Sequence, residues 1–571
     1  MVGACLGLVA AVVGGVLVGA RTTEAQPTPF TEEAASRGLV IEGGPLGSFG
    51  AGLAFADLDG DADPDVVAVS TSQGRIVVFE NNGFGSFTQR SPGSDAALVR
   101  GASGVTAADY DADGDLDLYV SVWLDADVFL RNDGGFAFTD VTAQAGLGDR
   151  GAGAGCAWAD YDDDGWLDLY VANRTGTDIP GGGTSPEPNR LYHNLGNGTF
   201  EEVAQTLGVD DQDSFTFQAA FFDYDRDGDQ DIYIANDKGT TCFWTNELYE
   251  NVGGSFVTVS APSGADVCVN GMCVAIGDFD ANLYQDIYVS NSPEGNPLLL
   301  NQGDGTFVES GAEVGVASYW TAWGSVFFDH DNDGLMDLYV CNMGAPNRLY
   351  RSQGAWPVVD VAAQMGVDDP GASFCVAVAD IDADGDLDLL MGSVGQPAHL
   401  YVNREGQKRN WARFRIAGIG ANRFGVGARV DLTAGGSTQT RQLMAGGAYK
   451  TQNDLALHFG LGDATMIDRI DVTWPGGSVQ RTLSGYHARK TWTLYPPDQL
   501  GDADRDGDVD ADDLTALIRC MTGSGVGLVG PGCEMLDMDG DGDVDQMDLA
   551  LLLRRLVGVG PTGSKRLRPL P

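Results

Sequence analysis

The segment Asp109-Tyr110-Asp111-Ala112-Asp113-Gly114-Asp115-Leu116-Asp117 sets carboxylates at positions 1, 3, 5 and 9 of a short loop, with glycine at position 6. Hard cations such as Ca²⁺ take six to eight oxygens at about 2.3–2.6 Å, and the glycine admits the sharp turn that aims them inward. The pattern recurs from Asp57, Asp160, Asp223, Asp278, Asp329 and Asp380, at intervals of 51 to 63 residues, which is the spacing of a repeat architecture. Seven converging sets of carboxylates repel one another unless a cation sits among them.

The candidate ligands of the first four loops are Asp57, Asp59, Asp61 and Asp65; Asp109, Asp111, Asp113 and Asp117; Asp160, Asp162, Asp164 and Asp168; and Asp223, Asp225, Asp227 and Asp231. In the last three they are Asp278, Asp280, Asn282 and Asp286; Asp329, Asp331, Asp333 and Asp337; and Asp380, Asp382, Asp384 and Asp388. Ala62 replaces the glycine of the first loop, and Asn282-Leu283 replaces Asp-Gly in the fifth, so the fifth site is expected to be weaker.

An apolar strand enters and another leaves each loop, as in Ala220-Phe221-Phe222 and Ile232-Tyr233-Ile234. Between loops run hairpin signals such as Asn194-Leu195-Gly196-Asn197-Gly198-Thr199-Phe200, often after a short strand such as Asn189-Arg190-Leu191-Tyr192. Four short strands per repeat make a propeller blade. The last repeat, ending at His399–Asn403, lacks an outer strand, whereas Phe30-Thr31-Glu32-Glu33 precedes the first loop with none of its own. The N-terminal segment is therefore expected to complete the last blade and close the ring without free edges. A linear solenoid is the alternative.

These loops and hairpins, over residues 28–405, resemble the FG-GAP/VCBS repeat family. The resemblance implies a seven-bladed β-propeller holding up to seven Ca²⁺ and used as a binding scaffold.

Beyond Arg404 the charge reverses: residues 404–496 hold thirteen Lys/Arg against six Asp/Glu in a chain of net charge −49. Strand signals at Trp411–Ile416, Ala428–Leu432 and Arg469–Trp474, between glycine-rich turns, predict a small all-β domain over 408–496. Its basic face is expected to dock on the acidic repeats. Gly420–Arg429, Leu457-His458-Phe459-Gly460-Leu461-Gly462 and Trp474-Pro475-Gly476-Gly477 resemble the ASPIC/UnbV domain.

Residues 498–558 carry two loops of another kind, each followed by a helix. Asp502, Asp504, Asp506, Asp508 and Asp513, and then Asp537, Asp539, Asp541, Asp543 and Asp548, occupy EF-hand-like ligand positions. Apolar residues at i, i+3, i+4 and i+7 follow: Leu514, Leu517, Ile518 and Met521, then Leu549, Leu552, Leu553 and Leu556. This α-helical, EF-hand-like module resembles a type I dockerin, which implies two further Ca²⁺ and a cohesin-like partner. Ala511-Asp512 and Gln546-Met547 depart from the family's hydroxyl-bearing recognition pair. Tyr495-Pro496-Pro497 reads as an extended hinge before the module, and residues 559–571 as a tail.

The fold class is thus mainly β: a propeller with Ca²⁺-binding loops, a small all-β domain and a small helical module. Nine calcium ions would take the net charge from −49 to −31. Such acidity argues against nucleic acid or an anionic membrane as partner. Residues 1–25, with an apolar run from Leu6 to Ala20 too short to span a bilayer, read as a signal peptide cleaved near Gln26. The product is expected to be secreted, extracellular or at the cell surface, without a membrane span. Cys520 and Cys533 are the best disulfide candidates; Cys156, Cys273 and Cys375 read as buried thiols, and Cys242, Cys268 and Cys341 stay open.

No H-E-x-x-H, G-x-S-x-G or phosphate-binding loop occurs, and the five histidines are scattered. The expected function is non-catalytic: binding or adhesion toward an extracellular protein or polysaccharide. The alternative is a catalytic or non-catalytic subunit of polysaccharide-processing machinery, tethered through its dockerin.

Overall fold

The strands of each repeat hydrogen-bond to their sequence neighbours, so a repeat folds as one antiparallel sheet. A computed structural model describes residues 28–44, 50, 52–70, 75–93, 99, 101–123, 125–149, 151, 153–174, 187–212, 214–238, 242–503, 509, 511–521 and 533–556. Residues 1–25, the Gly- and Pro-rich segment 175–186 and the tail 559–571 lie outside them. The protein is mainly β. Residues 30–403 form seven sheets with four strands each from this segment. The second, for example, runs through Ala102–Ala108, Asp117–Val122, Val128–Asn132 and Phe138–Asp140.

Thr31–Glu32 pairs antiparallel with His399–Val402, with Thr31 opposite Val402 and Glu32 opposite Tyr401. The N-terminal segment therefore supplies the outer strand that the last sheet lacks. A second set of bonds links each sheet to the one before. The side-chain amides of Asn132, Asn194, Asn251, Asn301 and Asn403 donate to the carbonyls of Leu58, Tyr110, Tyr161, Tyr224 and His330, each at position 2 of the preceding loop. Asn81 donates in the same way to Ile381 of the last loop, so the arrangement is cyclic. Except for Asn403, which Arg404-Glu405 follow, these asparagines open the Asn-x-Gly hairpins.

In the sixth sheet the asparagine is replaced by Ser352, whose buried hydroxyl has no hydrogen-bond partner. Asn194→Ala would strand the buried Tyr110 carbonyl, at a cost of about 1–3 kcal/mol, whereas Ser352→Ala removes no bond. Urea midpoints of the two variants should differ accordingly, and equal midpoints would show that the ties contribute nothing.

Residues 410–494 form a three-stranded sheet (Asn410–Ile416, Leu457–Gly462, Lys490–Leu494) and a four-stranded one (Arg429–Ala434, Ser437–Gln442, Arg469–Thr473, Gln480–Leu483). Two short strands of this domain leave it and join the repeats. Ala445–Gly446 adds to the third sheet beside Gly153–Ala159, and Thr451–Gln452 adds to the first beside Leu53–Ala56. Between them the fully buried Tyr449 lies 5.4 Å from Trp323 and 6.3 Å from Phe217, ring to ring. The hairpin thus fills the space between the innermost strands.

The expected hinge at Tyr495-Pro496-Pro497 is not found. Leu500, Leu517, Leu536, Val544 and Leu552 share one apolar core with Trp474, Leu483, Tyr486 and Trp492 of the β domain. Ser484 N–H donates to the Gly540 carbonyl at 2.9 Å, and Arg555 reaches the Pro497 carbonyl. The physical reason is size: helices Ala511–Cys520 and Gln546–Leu556 are too short to bury their apolar residues against each other alone. Even so, Ile518 and Leu553 of the predicted stripes are 61% and 41% exposed.

Cys520 and Cys533 are joined, and a second disulfide links Cys242 to Cys268. Cys156, Cys273, Cys341 and Cys375 are buried thiols. Among the described residues no helix is long and apolar enough to cross a membrane.

Candidate metal centre

Each Asp loop joins the first strand of a sheet to the second, so antiparallel order gathers all seven at one end of the cycle. In the second loop, Asp109 caps the turn: Oδ1 accepts the N–H of Asp113 at 3.2 Å and Oδ2 that of Gly114 at 3.1 Å. Asp117 accepts Tyr110 N–H at 3.2 Å and Asn132 N–H at 2.8 Å. The same pair of backbone bonds clamps Asp65, Asp168, Asp231, Asp286, Asp337 and Asp388. Position 9 is therefore a buried brace as well as a candidate ligand.

The turn needs left-handed backbone at position 6, where Gly114 has φ +101°. Ala62 and Leu283 adopt φ +75° there without glycine, at a cost of order 1–2 kcal/mol, and both loops keep the turn. A second left-handed residue stands at position 4 of every loop, filled by Gly60, Ala112, Asp163, Arg226, Ala281, Asn332 and Ala383. Those identities share no signature, so no residue pattern marks the position.

Oxygen atoms of Asp57, Asp59 and Asp61, of Asp109, Asp111 and Asp117, and of Asp160, Asp162 and Asp164 converge within 4.8 Å in each group. Two of the five scattered histidines join such groups: His193 with Asp162 and Asp168, and His330 with Asp331 and Asp337. His193 Nδ1 lies 3.2 Å from Asp168, which raises its pKa to about 9. In the fifth loop the Asn282 amide donates to the Asn301 carbonyl at 2.7 Å, so one carboxylate oxygen of the cage is lost.

Whether a cation fits is decided by the oxygens left over. Asp111, Asp162, Asp223, Asp380 and Asp382 each bury an Oδ1 without a hydrogen-bond partner. Burial, reinforced by neighbouring carboxylates, pushes Asp109 up to about 7, and Asp160 and Asp329 to about 8. Burial above all raises Asp117 to about 9 and Asp65 to about 8. Converging, desolvated oxygen donors of this kind suit a hard divalent cation.

In the helical module Asp537 Oδ1 accepts Gly540 N–H at 2.9 Å, and Asp548 Oδ1 accepts Met538 N–H at 2.7 Å. Asp539, Asp541 and Asp543 lie in the same turn. Tyr486 of the β domain donates its hydroxyl to Asp537 at 3.1 Å. In the other loop Asp502 and Asp513 are described, but Asp504, Asp506 and Asp508 are outside the described residues.

The β domain covers the loop face. Arg415 reaches the Ala62 carbonyl, Arg423 lies beside Gly114, and Gly476 closes on Asp163. Arg429 pairs with Asp223 at 2.6 Å, and Arg409 with Asp331 at 2.6 Å. Burial raises Asp278 to about 6 against the opposing positive charge of Arg441, and His458 Nε2 is 3.0 Å from the Gly385 carbonyl. Six of the seven loops are thus contacted by one basic domain and the fifth lies in the field of its Arg441, as the charge reversal predicts.

The chain matches three families. The FG-GAP-like repeat matches at 57–120, 177–234, 223–289, 278–340 and 329–391, ASPIC and UnbV at 418–500, and the dockerin type I domain at 500–557. The chain is an FG-GAP-like repeat protein with an ASPIC and UnbV domain and a type I dockerin domain. Of its seven loops only the third, Asp160–Asp168, falls outside the matched FG-GAP-like segments. Cartilage acidic protein 1 of Xenopus tropicalis is 27% identical over 469 residues, covering 75% of this chain and 70% of the relative. Its human counterpart is 23% identical over 489 residues, covering 78% of this chain and 63% of that protein, less than two thirds of its length. Among solved structures, the BP39L lectin from Burkholderia pseudomallei aligns at a TM-score of 0.42 and 12% identity, over 62% of this chain and 96% of the lectin. YCF48 from Cyanidioschyzon merolae aligns at 0.36 and 10% identity, over 66% and 97%. Both are loose likenesses of shape.

Proposed function

We propose that this protein is an extracellular, calcium-loaded binding scaffold in which the FG-GAP-like repeats form a closed seven-bladed propeller. The observation that carries the reading is the set of converging carboxylates with buried, unpartnered oxygens. Calcium in these loops would neutralise the cages. Positions 1, 3, 5 and 9 of each loop would hold up to seven ions, with Asp502, Asp504, Asp506, Asp508 and Asp513, and Asp537, Asp539, Asp541, Asp543 and Asp548, holding two more. An extracellular location is supported by the calcium these loops demand and by the similarity to cartilage acidic protein 1. The partner class is an extracellular protein or polysaccharide.

A non-catalytic role is supported by the histidines. His193, His330 and His399 lie against Asp168, Asp337 and Asp369, and His458 against the Gly385 carbonyl. A second reading, attachment to a larger assembly through the dockerin domain and a cohesin-type partner, is favoured by Ile518, Met521, Met547 and Leu553, which stay exposed on its helices and the adjoining turn.

Calcium titration followed by elemental analysis tests the first reading. Asp113→Ala should lower the melting temperature in calcium more than Asn282→Ala, because Asn282 already contributes a defective ligand set. Absence of bound calcium in the wild type would overturn it.

A further inference from the structure

The second carboxylate loop of the dockerin domain, residues 537–548, is built against the β domain. Its backbone rests on the turn that follows the strand Gln480–Leu483. Ser484 N–H donates to the Gly540 carbonyl at 2.9 Å. The approach is close: a Cβ on Gly485 would meet the Asp541 carbonyl oxygen at 2.3 Å, and one on Gly542 the Ser484 carbonyl oxygen at 2.8 Å.

Two β-domain side chains reach Asp537, the residue that opens the loop. Tyr486, 2% exposed and edge-on to Trp492 at 4.9 Å, donates its hydroxyl to Asp537 Oδ2 at 3.1 Å. Arg481 donates to the Asp537 carbonyl at 2.5 Å and to the Tyr495 carbonyl at 3.1 Å. From within the loop, Asp537 Oδ1 accepts the N–H groups of Gly540 and Asp541, at 2.9 and 3.1 Å, and Oδ2 that of Gly542 at 3.2 Å. The first candidate ligand is thus oriented by its own turn and by a second domain together.

Partners outside a ligand set fix the direction of the ligand, and their loss costs roughly 10–100-fold in metal affinity. Charge does not oppose such a role for Arg481. Asp537, Asp539, Asp541, Asp543 and Asp548 bring five negative charges to one divalent ion, and the guanidinium offsets part of the excess. We infer that Tyr486 and Arg481 are positioning residues of this calcium site, which therefore belongs to two domains. Calcium in the loop and docking of the module on the β domain then stabilise each other, and loss of the ion releases the module. The inference rests on the calcium reading of this loop.

The test is hydrogen exchange of the full chain, followed by mass spectrometry across a calcium titration. Residues 538–545 should gain protection at a calcium concentration about tenfold higher in Tyr486→Phe than in the wild type, while the repeat loops keep their midpoints. In chelator, where the module is released, the two chains should exchange alike; a hydroxyl that only packs the domains would leave them different. Asp541→Ala, which removes an exposed ligand, should in turn speed exchange of residues 481–486 in calcium, because coupling between two events is reciprocal. An unshifted midpoint in Tyr486→Phe, or unchanged exchange at 481–486 in Asp541→Ala, would overturn the inference. Calcium protection in the repeats but not at 538–545 would overturn it as well, and would leave the reading of the repeats standing.

Discussion

Chelation is expected to lower the melting temperature by about 10–20 °C and to loosen the β domain from the repeats. Each ion that binds only the folded state contributes about 2.7 kcal/mol at a hundredfold excess over Kd. Two to four intact sites then rival a typical net stability of about 5–15 kcal/mol, and in a chain of this size each kcal/mol moves the midpoint by roughly 2 °C. Mg²⁺ should restore little, because its small octahedral shell fits these loops badly. The two conditions should also respond to pH with opposite sign. Without metal, the folded cages hold protons at about 7 for Asp109, 8 for Asp65 and 9 for Asp117, far above ordinary carboxylates. Folding then takes up protons, so stability falls as pH rises from the ordinary carboxylate range through these values. Chelated protein should therefore melt higher at pH 5.5 than at pH 8, while calcium-loaded protein, whose ligands must be ionised, should melt lower. Scanning calorimetry across that range checks both signs, and superposable curves with and without chelator would refute the metal reading of the loops.

What could be read from the chain was whatever is encoded within one repeat. Asp109, Asp111, Asp113 and Asp117 fall within nine residues, so their convergence follows from local turn chemistry, and the missing outer strand was found by counting strands. The docking of the β domain could be anticipated only as a charge reversal. Its particular pairs, Arg429 with Asp223 and Arg409 with Asp331, join residues 206 and 78 positions apart, and no local pattern selects them. The same limit hid the tie from Asn194 to Tyr110, since an asparagine opening a hairpin already has a sufficient local reason to be there. Tyr495-Pro496-Pro497 misled for a related reason. Proline fixes an extended backbone but does not say whether that backbone is packed, and here neighbouring Leu500, Leu536 and Leu552 complete a core with Trp492. The exposed members of the helical stripes, Ile518 and Leu553, show the converse, because periodicity marks an apolar face without stating how much of it a small module can cover.

Tyr449→Ala is expected to destabilise the protein by about 3–5 kcal/mol, the range for removing a large aromatic side chain from a packed interior. Tyr449 has no exposed surface, and its ring is held by Trp323 of the sixth sheet and Phe217 of the fourth. It stands at the tip of the hairpin that the β domain sends between the innermost strands. That hairpin is bonded on several sides: Gln452 exchanges two hydrogen bonds with the backbone of Ala107, and Thr451 donates to the Val376 carbonyl. Asn453 accepts Val378 N–H at 2.9 Å. Close approach by small residues makes this possible, since a Cβ on Gly446 would meet the Cys156 carbonyl oxygen at 2.4 Å. Losing the ring opens a cavity where the repeats and the β domain meet, so the effect should appear at both places. Urea unfolding should shift to lower midpoint, and amide exchange of residues 444–453 should accelerate with that of the Leu53–Ala56 and Gly153–Ala159 strands they pair with. Tyr449→Phe, which keeps the ring and opens no cavity of that size, should cost much less. An alanine variant within about 1 kcal/mol of wild type would mean that the hairpin occupies the centre without holding the two domains together.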